Sequence, residues 1–128
     1  MDLSLDRPDD YLFVRRTSAD AITLADRELK RSFLLTPDQV VENWAADSAE
    51  RLSADHVEAL LALQPELVLL GTGQRQVFPA PAFTAGFLRK GVGIEVMDNA
   101  AAARTYNLLA GEGRRVLAAF ILGAAGVS

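Results

Sequence analysis

The chain has no cysteine and a single histidine, His56. The first absence excludes disulfides, thiolate zinc sites, iron–sulfur ligation and cysteine nucleophiles. The second excludes any site that needs two imidazoles. Aromatic residues are 7% of the chain, with one tryptophan, Trp44. No basic residues interleave with Trp44 or Phe33, which argues against a stacking platform for nucleic acid. Long apolar runs are missing as well. The longest, residues 116–127, has twelve residues, whereas a membrane-spanning helix needs roughly 20. It reads as a buried strand followed by a small-residue tail, so an integral membrane protein is not expected. The net charge of −4 has the wrong sign for a surface that binds polyanions, so no nucleic-acid partner is expected.

What is present is ordinary globular material. Of 128 residues, 50% are hydrophobic and 23% charged, and the length suits one domain over residues 1–128. A chain of this size buries roughly two-thirds of its unfolded surface, enough for one core. The charge is divided unevenly. Through Glu66 there are 14 acidic and 7 basic residues, and from Leu67 onward 3 acidic and 6 basic, balances of −7 and +3. The opening Asp2, Asp6, Asp9 and Asp10 oppose the sign of a transit or signal segment, so the expected location is cytoplasmic.

The first half reads as short strands. Residues 11–16 lie between Pro8-Asp9-Asp10 and Thr17-Ser18-Ala19-Asp20. Ile22 and Leu24 point one way around Thr23. Leu29, Arg31, Phe33 and Leu35 alternate onto one face, stopping at Thr36-Pro37, and residues 40–44 form a further short apolar piece. This spacing predicts an antiparallel meander. No Asn-Gly or Asp-Gly hairpin signal assigns a register.

The second half changes period. Ser53 is placed to cap a helix on which Val57, Leu60, Leu61 and Gln64 share a stripe, ended by Pro65. Leu67-Val68-Leu69-Leu70 is a strand buried on both faces and closed by Gly71-Thr72-Gly73. A helix over residues 82–90, a strand over 94–97, a helix over 100–110 and a strand over 116–122 follow. Strand–helix–strand–helix–strand with short connections implies three parallel strands and right-handed crossovers. The expected class is therefore α/β, with a β-rich antiparallel N-terminal layer.

Gly71-Thr72-Gly73 stands where a dinucleotide fold cradles phosphate, with Arg75 beside it and Asp98 ending the next strand. Against that reading, Pro79 and Pro81 delay the helix, so no dipole points at the loop. Gln76 also replaces the third glycine of the fingerprint. Asp98 and Asn99 suit capping of the following helix, a role compatible with lining the crevice at the strand ends. On that helix Arg104 and Asn107 share one face. Tyr106 is core, with its hydroxyl reaching a partner, and Asn107 is placed to bond backbone of an adjacent loop. Arg75, Arg89, Lys90, Arg104, Arg114 and Arg115 form either a basic crevice for a small anion or a solvated rim. His56, just before the apolar stripe, is expected exposed or half-buried. No pair of carboxylates has acid–base spacing, so no catalytic residues and no metal ligands are nominated.

Several blocks occur in an order that resembles a known family. They are Leu69-Leu70-Gly71-Thr72-Gly73, Phe87-Leu88-Arg89-Lys90-Gly91, Glu95-Val96-Met97-Asp98, Ala103-Arg104-Thr105-Tyr106-Asn107-Leu108-Leu109 and Glu112-Gly113-Arg114-Arg115-Val116. They resemble a domain-of-unknown-function family that includes the mitochondrial respiratory complex I assembly factor 3 and uncharacterised prokaryotic proteins. The match is close in the C-terminal half and looser through Phe33-Leu34-Leu35-Thr36-Pro37 and Trp44. Asn99 departs from the family's threonine, and either side chain can cap a helix. The resemblance implies a compact β/α domain with no established cofactor or catalytic residue. By analogy it also implies a non-catalytic interaction or assembly module whose partner is another protein. The alternative is a small-anion or nucleotide-binding protein using Gly71, Thr72, Gly73, Arg75, Asp98, Asn99, Arg104 and Asn107.

Overall fold

A computed structural model describes residues 11–123. The expected small-residue tail beyond Gly123 and the acidic opening residues lie outside that range. Three short strands, β1 (Val14–Thr17), β2 (Ile22–Leu24) and β3 (Glu28–Leu29), form an antiparallel sheet in the order β1-β2-β3. Its turns close by Ser18 N–H donating to Ala21 O (2.9 Å) and Leu24 N–H donating to Arg27 O (2.8 Å). Ile22 and Leu24 are buried on one face with Thr23 between them, as the alternation requires. The first strand begins at Val14, later than expected. Leu12 spends its N–H on Pro37 O and its carbonyl on the Tyr106 hydroxyl instead of on a ladder.

The N-terminal strands do not make one meander. After exposed Arg31 the chain crosses to a second sheet, so Arg31 does not share the buried face of Leu29, Phe33 and Leu35. There β4 (Phe33–Thr36) and β5 (Gln39–Val41) form a hairpin. All four residues of β4 are buried, because its other edge pairs antiparallel with β8 (Val116–Phe120) in register Phe33↔Phe120. The two phenyl rings stack with centroids 5.1 Å apart. Ser32 locks the crossing, its hydroxyl donating to Ala46 O (2.8 Å) and accepting from Leu122 N–H (2.9 Å).

The three parallel strands appear as expected. β6 (Leu67–Gly71) pairs with β7 (Gly93–Met97) on one side and β8 on the other, giving the sheet order β5-β4-β8-β6-β7. Alternate residues of β6 face opposite layers. Val68 and Leu70 meet α1 (Ala54–Leu61) and α2 (Pro81–Leu88). Leu69 meets α3 (Asn99–Gly111) and the small sheet. The α1 helix stops at Leu61, short of Gln64, which takes a left-handed φ of 57° before Pro65. The expected four-residue stripe therefore loses its last member. Phe83 and Phe87, four apart on α2, pack edge to face at 5.1 Å.

Candidate functional site

The helices α2 and α3 pack on opposite faces of the sheet, so the loops leaving β6 and β7 part at Gly71 and Met97. That is the place where an open α/β sheet takes up ligands. Here the protein fills it with its own side chain. Asn99, 5% exposed, accepts a bond from Gly73 N–H on Oδ1 (3.2 Å) and donates from Nδ2 to Ile121 O (3.1 Å). Its own N–H donates to Gly73 O (2.8 Å), and Thr72 N–H donates to Met97 O (3.0 Å). These four bonds satisfy six backbone groups from three segments, as buried polar groups must be satisfied. An added Cβ on Gly71 would stand 2.3 Å from Asn99 Oδ1, so no side chain fits beneath the amide. Gly73 has a φ of 104°, a conformation that glycine adopts without steric cost.

The loop beyond is organised by Thr72. Its hydroxyl donates to Arg75 O (2.5 Å) and accepts from Val77 N–H (3.0 Å). Beside this turn lies an open groove of about 530 Å³, lined by Thr72, Gly73 and Arg75 on one side and by Asp47, Ser48 and Glu50 on the other. Asp47 and Glu50 were not legible as site residues, because the segment between β5 and α1 carries no pattern that docks it here. Their carboxylates make the groove mixed in sign.

Asp98 caps α3, its Oδ1 accepting from Ala101 N–H (2.8 Å). Gly71, Thr72, Gly73, Asp98 and Asn99 thus gather at the strand ends, with Arg75 on the adjoining groove. Arg104 is exposed on α3. Asn107 turns to the small sheet, accepting from Val14 N–H (2.9 Å) and donating to Val14 O (2.8 Å). Tyr106, fully buried, donates to Leu12 O (2.7 Å), and burial pushes its phenol above the usual range. Arg114 and Arg115 stand at the start of β8, at the opposite end of the parallel strands, where Arg114 pairs with Glu66 (2.9 Å). The Arg115 amide, followed by the Arg114 guanidinium, holds the Glu66 carboxyl below its ordinary value. These two arginines do not join a crevice with Arg75.

His56 is half-buried and committed on both nitrogens. Its Nδ1 accepts from Ser53 N–H (3.0 Å), which leaves the proton on Nε2, 2.5 Å from Ala45 O. Among the described residues no cluster of His, Asp and Glu is arranged to hold a metal. One further feature escaped the periodicity. Phe78 is 67% exposed, in the loop between Thr72 and α2. Its neighbour Pro79 is buried, and Pro81 opens the helix. In the Phe-Pro-Ala-Pro spelling, Pro79 restricts the backbone of Phe78 itself and Pro81 that of Ala80.

Comparison with known proteins places this geometry among relatives. Residues 14–121 match the model of a family described as "Protein of unknown function (DUF498/DUF598)". The solution structure of a Xanthomonas campestris protein is 45% identical, with a TM-score of 0.82 over 97% of this chain and 94% of that one. A Francisella tularensis protein named "13 kDa major membrane protein" is 31% identical over 90 residues, 70% of this chain and 73% of its own. The mouse NADH dehydrogenase (ubiquinone) 1 alpha subcomplex assembly factor 3 is 27% identical over 112 residues, 86% of this chain. The chain spans 60% of that mouse relative's length. Among the described residues no helix is long and apolar enough to cross a membrane.

Proposed function

We propose that this chain, which belongs to the DUF498/DUF598 family, works as a non-catalytic protein-interaction module of the assembly-factor kind. The observation that carries the reading is kinship across 86% of the chain with a protein named as an assembly factor. Two structural features support it. The switch-point crevice is spent on an internal joint at Asn99. The loop next to it holds Phe78 outward, and exposed aromatic rings on restricted backbone are favoured anchors at protein interfaces. Cytoplasmic residence and a protein partner belong to the same proposal. A small anion in the groove beside Arg75 is the second reading, favoured by the open volume at the Thr72–Gly73 turn.

The test is recovery of a partner by a tagged copy, with wild type and Phe78→Ala compared in parallel. The side chain contributes little to the core at 67% exposure, so the two proteins should melt within about 0.5 kcal/mol of each other. Partner recovery should fall at least about tenfold in the variant, the loss expected when a central aromatic anchor is truncated. Equal recovery of the same proteins by both would overturn the assignment of Phe78.

A further inference from the structure

The five-stranded sheet ends at β7, and among the described residues no strand pairs with its outer side. The parallel ladder to β6 decides which of its backbone groups face outward. Gly93 N–H donates to Glu66 O (3.3 Å), and Met97 O accepts from Thr72 N–H (3.0 Å). Gly93, Glu95 and Met97 therefore turn their amides and carbonyls towards β6, with the period of two of a strand. Ile94 and Val96 turn theirs away from the sheet. One of those four outward groups is covered, because Gln76 Nε2 donates to Val96 O at 2.8 Å. The Ile94 N–H, the Ile94 carbonyl and the Val96 N–H have no partner among the described residues.

An edge with unpaired groups at alternate residues is a template for another strand. Side-chain chemistry specifies which one. Ile94 and Val96 are half-buried against the α1–α2 layer, leaving an apolar margin on that face. Glu95, exposed between them on the other face, has no ion-pair partner among the described residues. We propose that the β7 edge accepts an extended segment of a partner protein as an antiparallel strand, with lysine or arginine opposite Glu95 and apolar residues on either side of it. In that register Ile94 and Val96 occupy hydrogen-bonded positions and Glu95 the non-hydrogen-bonded one between, where facing side chains lie about 4.5–5.5 Å apart. A second copy paired about a two-fold axis in the same register would set Glu95 against its own counterpart. Like charges directly opposite are destabilising, which favours a basic strand over self-pairing. Gln76 serves as a detachable cover for the one carbonyl that the incoming strand must reach.

This deepens the interaction-module reading and rests on it for the existence of a cellular partner, while the pairing chemistry is tested separately. The probe is a capped peptide, Thr-Thr-Val-Lys-Val-Thr-Thr, titrated to millimolar concentration into the nitrogen-15-labelled chain, beside a twin carrying Glu in place of Lys. The Ile94 and Val96 amide signals should shift saturably and gain exchange protection with the lysine peptide. That peptide should bind about fivefold or more tightly than its twin, the reach of one cross-strand charge pair. Glu95→Lys, a surface change, should reverse the preference. Gln76→Ala, which frees the Val96 carbonyl, should tighten binding about threefold.

Unshifted Ile94 and Val96 signals, or a lysine preference that survives Glu95→Lys, would overturn the proposal. So would sedimentation showing that the chain alone dimerises through β7. Failure of the peptide assay leaves the Phe78 recovery experiment standing. Equal recovery by both variants removes the assignment of Phe78, and recovery of no partner removes the interaction module; neither outcome alters the peptide result.

Discussion

Gly71→Ala is expected to destabilise the domain by about 2–3 kcal/mol, the upper part of the roughly 1–3 kcal/mol that forcing an extra methyl into packed structure costs. The backbone at Gly71 is ordinary strand, so the cost comes wholly from what the methyl meets. Asn99 Oδ1 would be 2.3 Å away and Phe120 Cδ1 3.1 Å. Neither yields freely. Asn99 is tied to Gly73 N–H and Ile121 O, and the Phe120 ring is stacked on Phe33. Asn99→Ala alone should cost about 1–3 kcal/mol, because it strands a buried N–H and a carbonyl. The double variant Gly71→Ala/Asn99→Ala is the informative one. Removing the amide makes room for the methyl, so the two losses should fall short of additivity by about 1 kcal/mol or more in urea denaturation. Strict additivity would mean that the two residues do not share one space.

The second large effect is expected at Asn107. Leucine there fills similar volume, yet it leaves the Val14 N–H and carbonyl without their bonds of 2.9 Å and 2.8 Å. Two part-buried backbone groups losing their partners should cost about 2–4 kcal/mol. The loss should also be local in character. Asn107 and Tyr106 are the polar ties from α3 to the chain around β1, so Asn107→Leu should loosen the small sheet before the large one. Amide exchange at Ile22 and Thr23 should accelerate by more than that at Leu69 and Leu70. Uniform acceleration across both sheets would show that the small sheet opens only with the whole domain.

The parallel half was legible because its signals are local. Leu67 to Leu70 is a continuous apolar run closed by glycine, Phe83 and Phe87 lie four apart, and Asp98 precedes an alanine-rich stretch that it does cap. The placement of β4 was not legible. Its partner β8 lies more than 80 residues away in the chain, and no turn residue records such a pairing. At the candidate site, the meeting of Gly71 to Gly73 with Asp98 and Asn99 followed from the parallel order of β6 and β7. The direction of the Asn99 amide did not. An asparagine after a strand spells a cap equally well whether it faces solvent or turns inward to serve Gly73 and Ile121. Asp47 and Glu50 reach the groove through tertiary packing that periodicity does not encode.

The central claim is that the crevice at the strand ends is an internal joint, so that this domain acts through its outer surface. The most direct measurement is a nitrogen-15 spectrum of the wild-type chain titrated with millimolar ATP, NAD and inorganic phosphate, following the Gly73 amide and the Asn99 side-chain amide. The account predicts that both signals stay in place and that Gly73 remains protected from exchange. A saturable shift of both signals by any of the three, together with a rise in melting temperature, would contradict it.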